Sequence, residues 1–265
     1  MNGANEKRLT FLGTGTSTGV PVIGCTCETC TSADARDQRL RTSAMIELEE
    51  ATIVIDAGPD FRAQMLKAQR LGCRTDKMAA ILVTHEHYDH VGGLDDVRGL
   101  NYMMRRPIDI YAQTRVIGEI KQNLRYVFTG VPYPGTPKMS LHAIEPMEKF
   151  SVGGMEITPL PIMHDKLPIV GYKIGGLAYI TDASMVPEET MAEIRGIGIL
   201  VINALGPIEH HSHLSLQQAI DISEKVGARE TYFTHIGHKM GLYEKTEPEL
   251  PSGCHLAYDG LQIRL

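Results

Sequence analysis

The sequence has no apolar run approaching the ~20 residues needed to cross a bilayer. Its longest are Ala79 to Val83 and the stretch around Ile197 to Leu205. It has no apolar h-region at its start, where Met1 to Thr10 reads MNGANEKRLT, so no secretory leader is expected. It has no surplus of positive charge: 26 Lys and Arg against 32 Asp and Glu leave a net charge of −6. That balance argues against an extended nucleic-acid surface and leaves room only for a local basic strip. No low-complexity stretch, Pro/Ser-rich linker or solenoid-period repeat divides the chain. The cysteines number five, and an odd count without an export signal favours metal binding over a disulfide framework. What remains is a cytoplasmic globular protein without a membrane segment. Its 265 residues, 43% hydrophobic, suffice for a substantial core and read as one domain over 1–265.

Strand-like runs appear at Leu9–Leu12, Ala44–Leu48, Thr52–Ile55, Ala80–Val83 and Ile108–Ala112. More follow at Ile157–Ile162, Ile169–Ile174, Leu177–Ile180, Gly198–Ile202, Thr231–Thr234 and His255–Ala257. Asp259-Gly260 is a hairpin signal leading into a last strand at Leu261–Leu265. Helical patterns cover Phe61–Arg70, Leu94–Met104, Val116–Leu124 and Pro187–Ile194. A further helix, Leu216–Val226, follows Ser215, with Gln218 completing a capping box. Paired strands interleaved with helices suit a mixed-sheet sandwich flanked by helices better than an alternating barrel.

Histidine carries the strongest signal: of eleven, three fall within six residues, at His85, His87 and His90. The segment runs from Val83 through Thr84-His85-Glu86-His87-Tyr88-Asp89-His90 to Gly93, after an apolar strand and before a helix. In extended chain, residues i and i+2 point the same way, so His85 and His87 converge on one ion. Asp89 and His90, at the turn into the helix, aim at a second. Imidazole with carboxylate suits Zn²⁺, Mn²⁺ or Fe better than Ca²⁺. A zincin would need His where Asp89 stands, and a nucleoside deaminase would need Pro where Thr26 stands. Gly13, Gly15 and Gly19 miss the dinucleotide-binding spacing and read as a turn. A second cluster, Cys25-Thr26-Cys27-Glu28-Thr29-Cys30, puts three thiols in the loop 25–30. Structural Zn²⁺ takes four ligands, so the fourth must come from Cys73, Cys254 or, better placed, His238.

His-x-His-x-Asp-His at 85–90 resembles the signature of the metallo-β-lactamase superfamily. Phe11-Leu12-Gly13-Thr14-Gly15 is similar to the opening of its branch of tRNA 3′-processing endonucleases and cyclic phosphodiesterases. Ile53 to Gly58 resembles its first motif, in which Asp56 would orient a ligand histidine. The resemblance implies a four-layer αββα sandwich of α+β or α/β class with two active-site divalent ions, Zn²⁺ or Mn²⁺. His85, His87 and His164 would hold the first, Asp89, His90 and His235 the second, with Asp182 bridging. A metal-bridging hydroxide would attack a phosphodiester, and His213, 22 residues before His235, would be the general acid. Within the superfamily the chain resembles the phosphoribosyl 1,2-cyclic phosphate phosphodiesterases of the carbon–phosphorus lyase pathway. Their Cys-x-Cys-x-x-Cys loop implies one structural Zn²⁺ on Cys25, Cys27, Cys30 and His238.

A small cyclic or nucleotide-like diester is therefore the expected substrate, and the resemblance implies a homodimer. A tRNA 3′-endonuclease falls behind, because no basic, Gly/Pro-rich arm is inserted between His164 and His235. A thioester or lactone hydrolase of the same fold would not need His213, and a non-catalytic scaffold would not keep every ligand position filled. His210 and His211 are expected at the surface, and Cys73 and Cys254 as free thiols. Arg105-Arg106 reads as a basic helix end, Tyr102-Met103-Met104 as core, and 126–137 as a lid or a plain connection.

Overall fold

The computed structural model describes residues 7–129 and 134–265. Its strands form two sheets of seven. The first half of the chain supplies β1 (Arg8–Gly13), β2 (Ser43–Glu47), β3 (Thr52–Ile55), β4 (Met78–Leu82), β5 (Ile108–Ala112) and β6 (Met139–Ala143). The second supplies β7 (Phe150–Val152), β8 (Met155–His164), β9 (Leu167–Ile174), β10 (Leu177–Ile180), β11 (Ile199–Asn203), β12 (Glu230–Thr234) and β13 (Cys254–Leu256). A last strand, β14 (Gln262–Arg264), returns to the first sheet beside β1. Each sheet begins antiparallel and then runs parallel, along β3-β4-β5-β6 in one and β10-β11-β12-β13 in the other.

Period-two alternation decides the layering. Ile53, Ile55, Ala80 and Leu82 face inward to meet Val170, Tyr172, Leu177 and Tyr179 of the other sheet. The residues between them, Val54, Ile81 and Val83, face outward against Phe61, Met65, Val97, Leu100 and Ile120. On the far side Ala178 and Ile180 meet Met191, Ala219 and Ile220. The central strands are buried on both faces, which is why they read as continuous apolar runs. Helices 61–70, 97–104 and 114–123 cover one sheet and helices 188–193 and 216–226 the other, giving the expected four-layer αββα sandwich. Among the described residues no helix is long and apolar enough to cross a membrane.

Three expectations change. The turn at Asp259-Gly260 is not a hairpin, because β13 pairs with β12 in one sheet and β14 with β1 in the other. The chain crosses between sheets there, pinned by the buried Asp259 carboxylate, which accepts from Thr14 Oγ1 and Leu40 N at 2.7 Å each. Tyr102 and Met103 are exposed rather than core. Their helix buries Val97 and Leu100 and packs a partly buried Met104 at i, i+3 and i+7, and these two fall off that stripe. The helix itself starts at Val97, after a 3₁₀ turn at Leu94–Asp96. The edge strands β6 and β7 were not legible in the sequence; Met139 and Leu141 are only partly buried, and Phe150–Val152 is three residues long.

Asp259 makes a testable contribution. Burial pushes its carboxyl up to about 6, against hydrogen bonds from Leu40 and Thr14 and the charge of Arg39. A carboxyl raised in the folded state binds its proton there more readily than in the unfolded chain. Its stabilising contribution is therefore complete below about pH 4 and is lost as pH rises through about 6. The stability of the wild type relative to Asp259→Asn should fall by about 2 kcal/mol between pH 4 and pH 7. Urea unfolding of both proteins across that range measures it, and a constant difference would refute the assignment.

Candidate metal centre

The candidate ligands sit where strands end on one rim. Asp56 follows β3, His85 and His87 follow β4, His164 ends β8, Asp182 follows β10 and His235 follows β12. At Asp56, Asp182 and His235 the chain takes φ of 60°, 58° and 53°, a region costly for side chains with a Cβ. Those sharp turns aim the side chains across the gap between the sheets. Gly58 serves the same packing: a Cβ there would lie 1.9 Å from the Asp89 carbonyl oxygen, so only glycine lets the Asp56 loop lie against the His-Asp loop.

Two groups result. Ligand atoms of His85, His87 and His164 lie within 4.8 Å of one another, as do those of Asp89, His90, Asp182 and His235. Asp182 also groups with His164 and His213, so its carboxylate faces both. Asp182 Oδ2 lies 3.3 Å from His90 Nε2 and 3.2 Å from His235 Nδ1, and Asp182 Oδ1 lies 3.8 Å from His213 Nδ1.

The outer nitrogens of these rings are held by the protein. His90 Nδ1 donates to Asp56 Oδ2 at 2.7 Å, and Asp56 also accepts from Thr84 N and Thr84 Oγ1. Thr84 Oγ1 is 3.0 Å from His85 Nδ1, His164 Nδ1 donates to the Ser212 carbonyl at 2.8 Å, and Thr16 Oγ1 is 3.2 Å from His235 Nε2. Among the described residues the inward nitrogens His85 Nε2, His90 Nε2 and His235 Nδ1 are buried and make no hydrogen bond of good geometry, the Asp182 contacts above included. Each unpartnered buried nitrogen costs about 1–3 kcal/mol unless something fills the space. Divalent ions fit this donor set, with a carboxylate and a carbonyl that fix the tautomers of His90 and His164. Burial would raise Asp182, but His235 and His90 hold it well below the usual carboxylate range. Burial lowers His85 and His235, keeping them neutral as ligation requires. Thr16, Thr84 and Ser212 escaped the sequence reading; only Thr84, adjoining the His motif, carried a local signal.

The loop before helix 216–226 brings in His213. Ser215 Oγ accepts from Gln218 N and Gln218 Oε1 from Ser215 N, closing the expected capping box. The His213 ring lies 4.9 Å from both His164 and His235, and burial with the neighbouring His235 pulls it down to about 3. His210 and His211 are exposed, as expected.

A separate cluster stands beside the rim. Sγ of Cys25, Cys27 and Cys30 lie 3.3, 3.4 and 3.5 Å from His238 Nδ1. One ring nitrogen has at most one proton and cannot bond three sulfurs that way. Tetrahedral zinc with Zn–S about 2.3 Å and Zn–N about 2.0 Å places S and N about 3.5 Å apart. Cys73 lies elsewhere, against Thr10 and Gln262, and Cys254 is outside the cluster. Arg106 bonds the Met78 carbonyl at the start of β4, the strand end opposite the centre. In the 126–137 stretch, the Tyr126 hydroxyl contacts Asp95 and Arg98, while residues 130–133, with Tyr133, lie outside the described residues.

Residues 51–236 match the family described as the beta-lactamase superfamily domain. An octanoyltransferase of Porphyromonas gingivalis (strain ATCC BAA-308 / W83) is 42% identical over 257 residues, 96% of this chain and 51% of that protein. The chain thus spans about half the length of that curated relative. Among solved structures, a diphosphatase from the PhnP family is 38% identical with a TM-score of 0.89, over 98% of this chain and 97% of that one. Zn²⁺-bound PqqB from Methylobacterium extorquens shares the fold, with a TM-score of 0.77 at 21% identity, over 97% and 100%. With its two facing sheets, rim of histidines and carboxylates, and family match over most of its length, the chain belongs to the β-lactamase superfamily and has the metallo-β-lactamase fold.

Proposed function

We propose that this hydrolase is a dinuclear metal-dependent phosphodiesterase acting on a small cyclic phosphate or nucleotide-like diester. The observation that carries it is one carboxylate, Asp182, that groups with Asp89, His90 and His235 on one side and with His164 and His213 on the other. His85, His87 and His164 would hold one ion, and Asp89, His90 and His235 the other, with Asp182 shared. When bound, two divalent ions make water nucleophilic near neutral pH and neutralise charge on phosphoryl oxygens. Asp56 and Thr84 orient the rings of His90 and His85 through the bonds described above. Hydrolysis breaks the P–O bond to the leaving group, and His213 supplies the proton that the departing oxygen takes. Its imidazole, lowered to about 3 by burial, gains that proton when a phosphate anion sits beside it and supplies the compensating charge. The same reading makes the active-site ions Zn²⁺ or Mn²⁺, puts one structural Zn²⁺ on Cys25, Cys27, Cys30 and His238, and takes residues 1–265 as one hydrolase unit. It also places the protein in the cytoplasm as a homodimer.

A substrate panel with His213→Ala tests the reading. It holds cyclic phosphates, an aryl diester, a diphosphate, an octanoyl thioester and a precursor tRNA. Loss of His213 should slow cyclic-diester turnover about a hundredfold or more. It should barely affect a p-nitrophenyl diester, whose leaving group needs no proton, with metal content unchanged. Equal losses on both substrates would remove His213 as the acid. Turnover of the thioester alone would overturn the phosphodiesterase.

A further inference from the structure

Between the His213 loop and the 237–239 turn lies a cavity of about 280 Å³. It adjoins the candidate metal centre on two sides. Thr16 on its wall is the residue whose hydroxyl meets His235 Nε2. His210 on its wall stacks on His213, with ring centroids 5.5 Å apart and planes at 27°. The opposite wall is His238-Lys239, set in place by the Cys25, Cys27 and Cys30 cluster. Backbone bonds from Gly237 N to Leu205 O and from Leu216 N to Gly206 O tie the walls together.

We propose that this cavity is the leaving-group subsite and takes a planar aromatic ring of nucleobase size against Leu205, Pro207 and Ile208. The proposal rests on the phosphodiesterase reading above. A lone exposed isoleucine is unremarkable on a surface. Here Ile208, 70% exposed, continues an apolar wall with Leu205 and Pro207 beside reactive groups. That wall suits the face of a ring. Glu209 and Lys239 also line the cavity, offering an acceptor and a donor. A second phosphate would meet the Glu209 carboxylate as well as the Lys239 ammonium, whereas the edge of a base carries both donors and acceptors. The volume lies below the roughly 300–1,000 Å³ of drug-sized sites, which favours a single ring system over a strand of nucleic acid.

AMP and ribose 5-phosphate share the phosphate that the metal centre would bind and differ by the base, so calorimetric titration of the metal-loaded full chain with each isolates the subsite. AMP should bind about tenfold more tightly than ribose 5-phosphate. Ile208→Ala, on an exposed side chain that the fold does not need, should bring AMP to within about threefold while leaving ribose 5-phosphate unchanged. Equal wild-type affinities for the two probes, or equal weakening of both by Ile208→Ala, would overturn the subsite. Turnover of bis(p-nitrophenyl) phosphate is measured separately. A protein that prefers AMP yet hydrolyses no diester keeps the subsite and loses the reaction.

Discussion

Asp182→Asn should lower hydrolytic turnover on the order of a thousandfold and reduce the tightly held metal at the rim. Asp182 is 2% exposed, and its two oxygens face His90, His235 and His213. Asparagine keeps the shape and removes the charge. The buried imidazoles then lose the carboxylate that balances a divalent ion, and one amide NH₂ faces nitrogens that need lone pairs inward. Elemental analysis of the purified variant beside the wild type, together with steady-state rates, measures both effects. Retained rate with full metal content would show that Asp182 is not the shared ligand. Because φ at Asp182 is 58° and asparagine tolerates that region, the substitution adds little backbone strain of its own.

Cys30→Ala should remove one zinc per chain and lower the melting temperature by about 6–12 °C, from a loss of about 3 kcal/mol. The loss is smaller than for a zinc finger, which unfolds without metal, because here three apolar layers hold the fold independently. What zinc would secure is local: it would join the 25–30 loop to His238, three residues past His235. Proteolysis should therefore cut first near that loop, while the rim keeps its metals. A wild-type protein holding no zinc at this cluster, or a variant with unchanged melting, would refute the assignment. Thiol alkylation gives a second readout. In the metal-free chain the Cys27 thiol is lowered to about 6, chiefly by a backbone hydrogen bond from Cys30. Bound zinc should protect it from alkylation.

Much of the site was legible because its residues are spaced as the backbone dictates. His85 and His87 share a side of an extended segment, and His90 falls one helical turn later, so their cooperation is a local fact. The core strands were legible because burial on both faces leaves no polar residue to break the run. The failures were also physical. Asp259-Gly260 turns the chain, but which sheet receives the next strand depends on the pairing of β14 with β1. Tyr102 and Met103 read as core by composition, while the helix phase set by Val97, Leu100 and Met104 turns them to solvent.

The sequence by itself determined the chemical types: imidazoles and carboxylates able to ligate divalent ions, three thiols close enough to share a metal, apolar runs for a two-sheet core, and a net charge of −6. Tertiary structure decided which groups meet. Thr16 reaches His235 across 219 residues and Cys25 reaches His238 across 213. Asp182 reaches His90 and His235 because β10 ends on the rim that β4 and β12 share. Such contacts depend on strand order and on the crossing of the chain between sheets. Local spacing encodes neither, since a side chain's direction along a strand says nothing of the strand that will lie opposite.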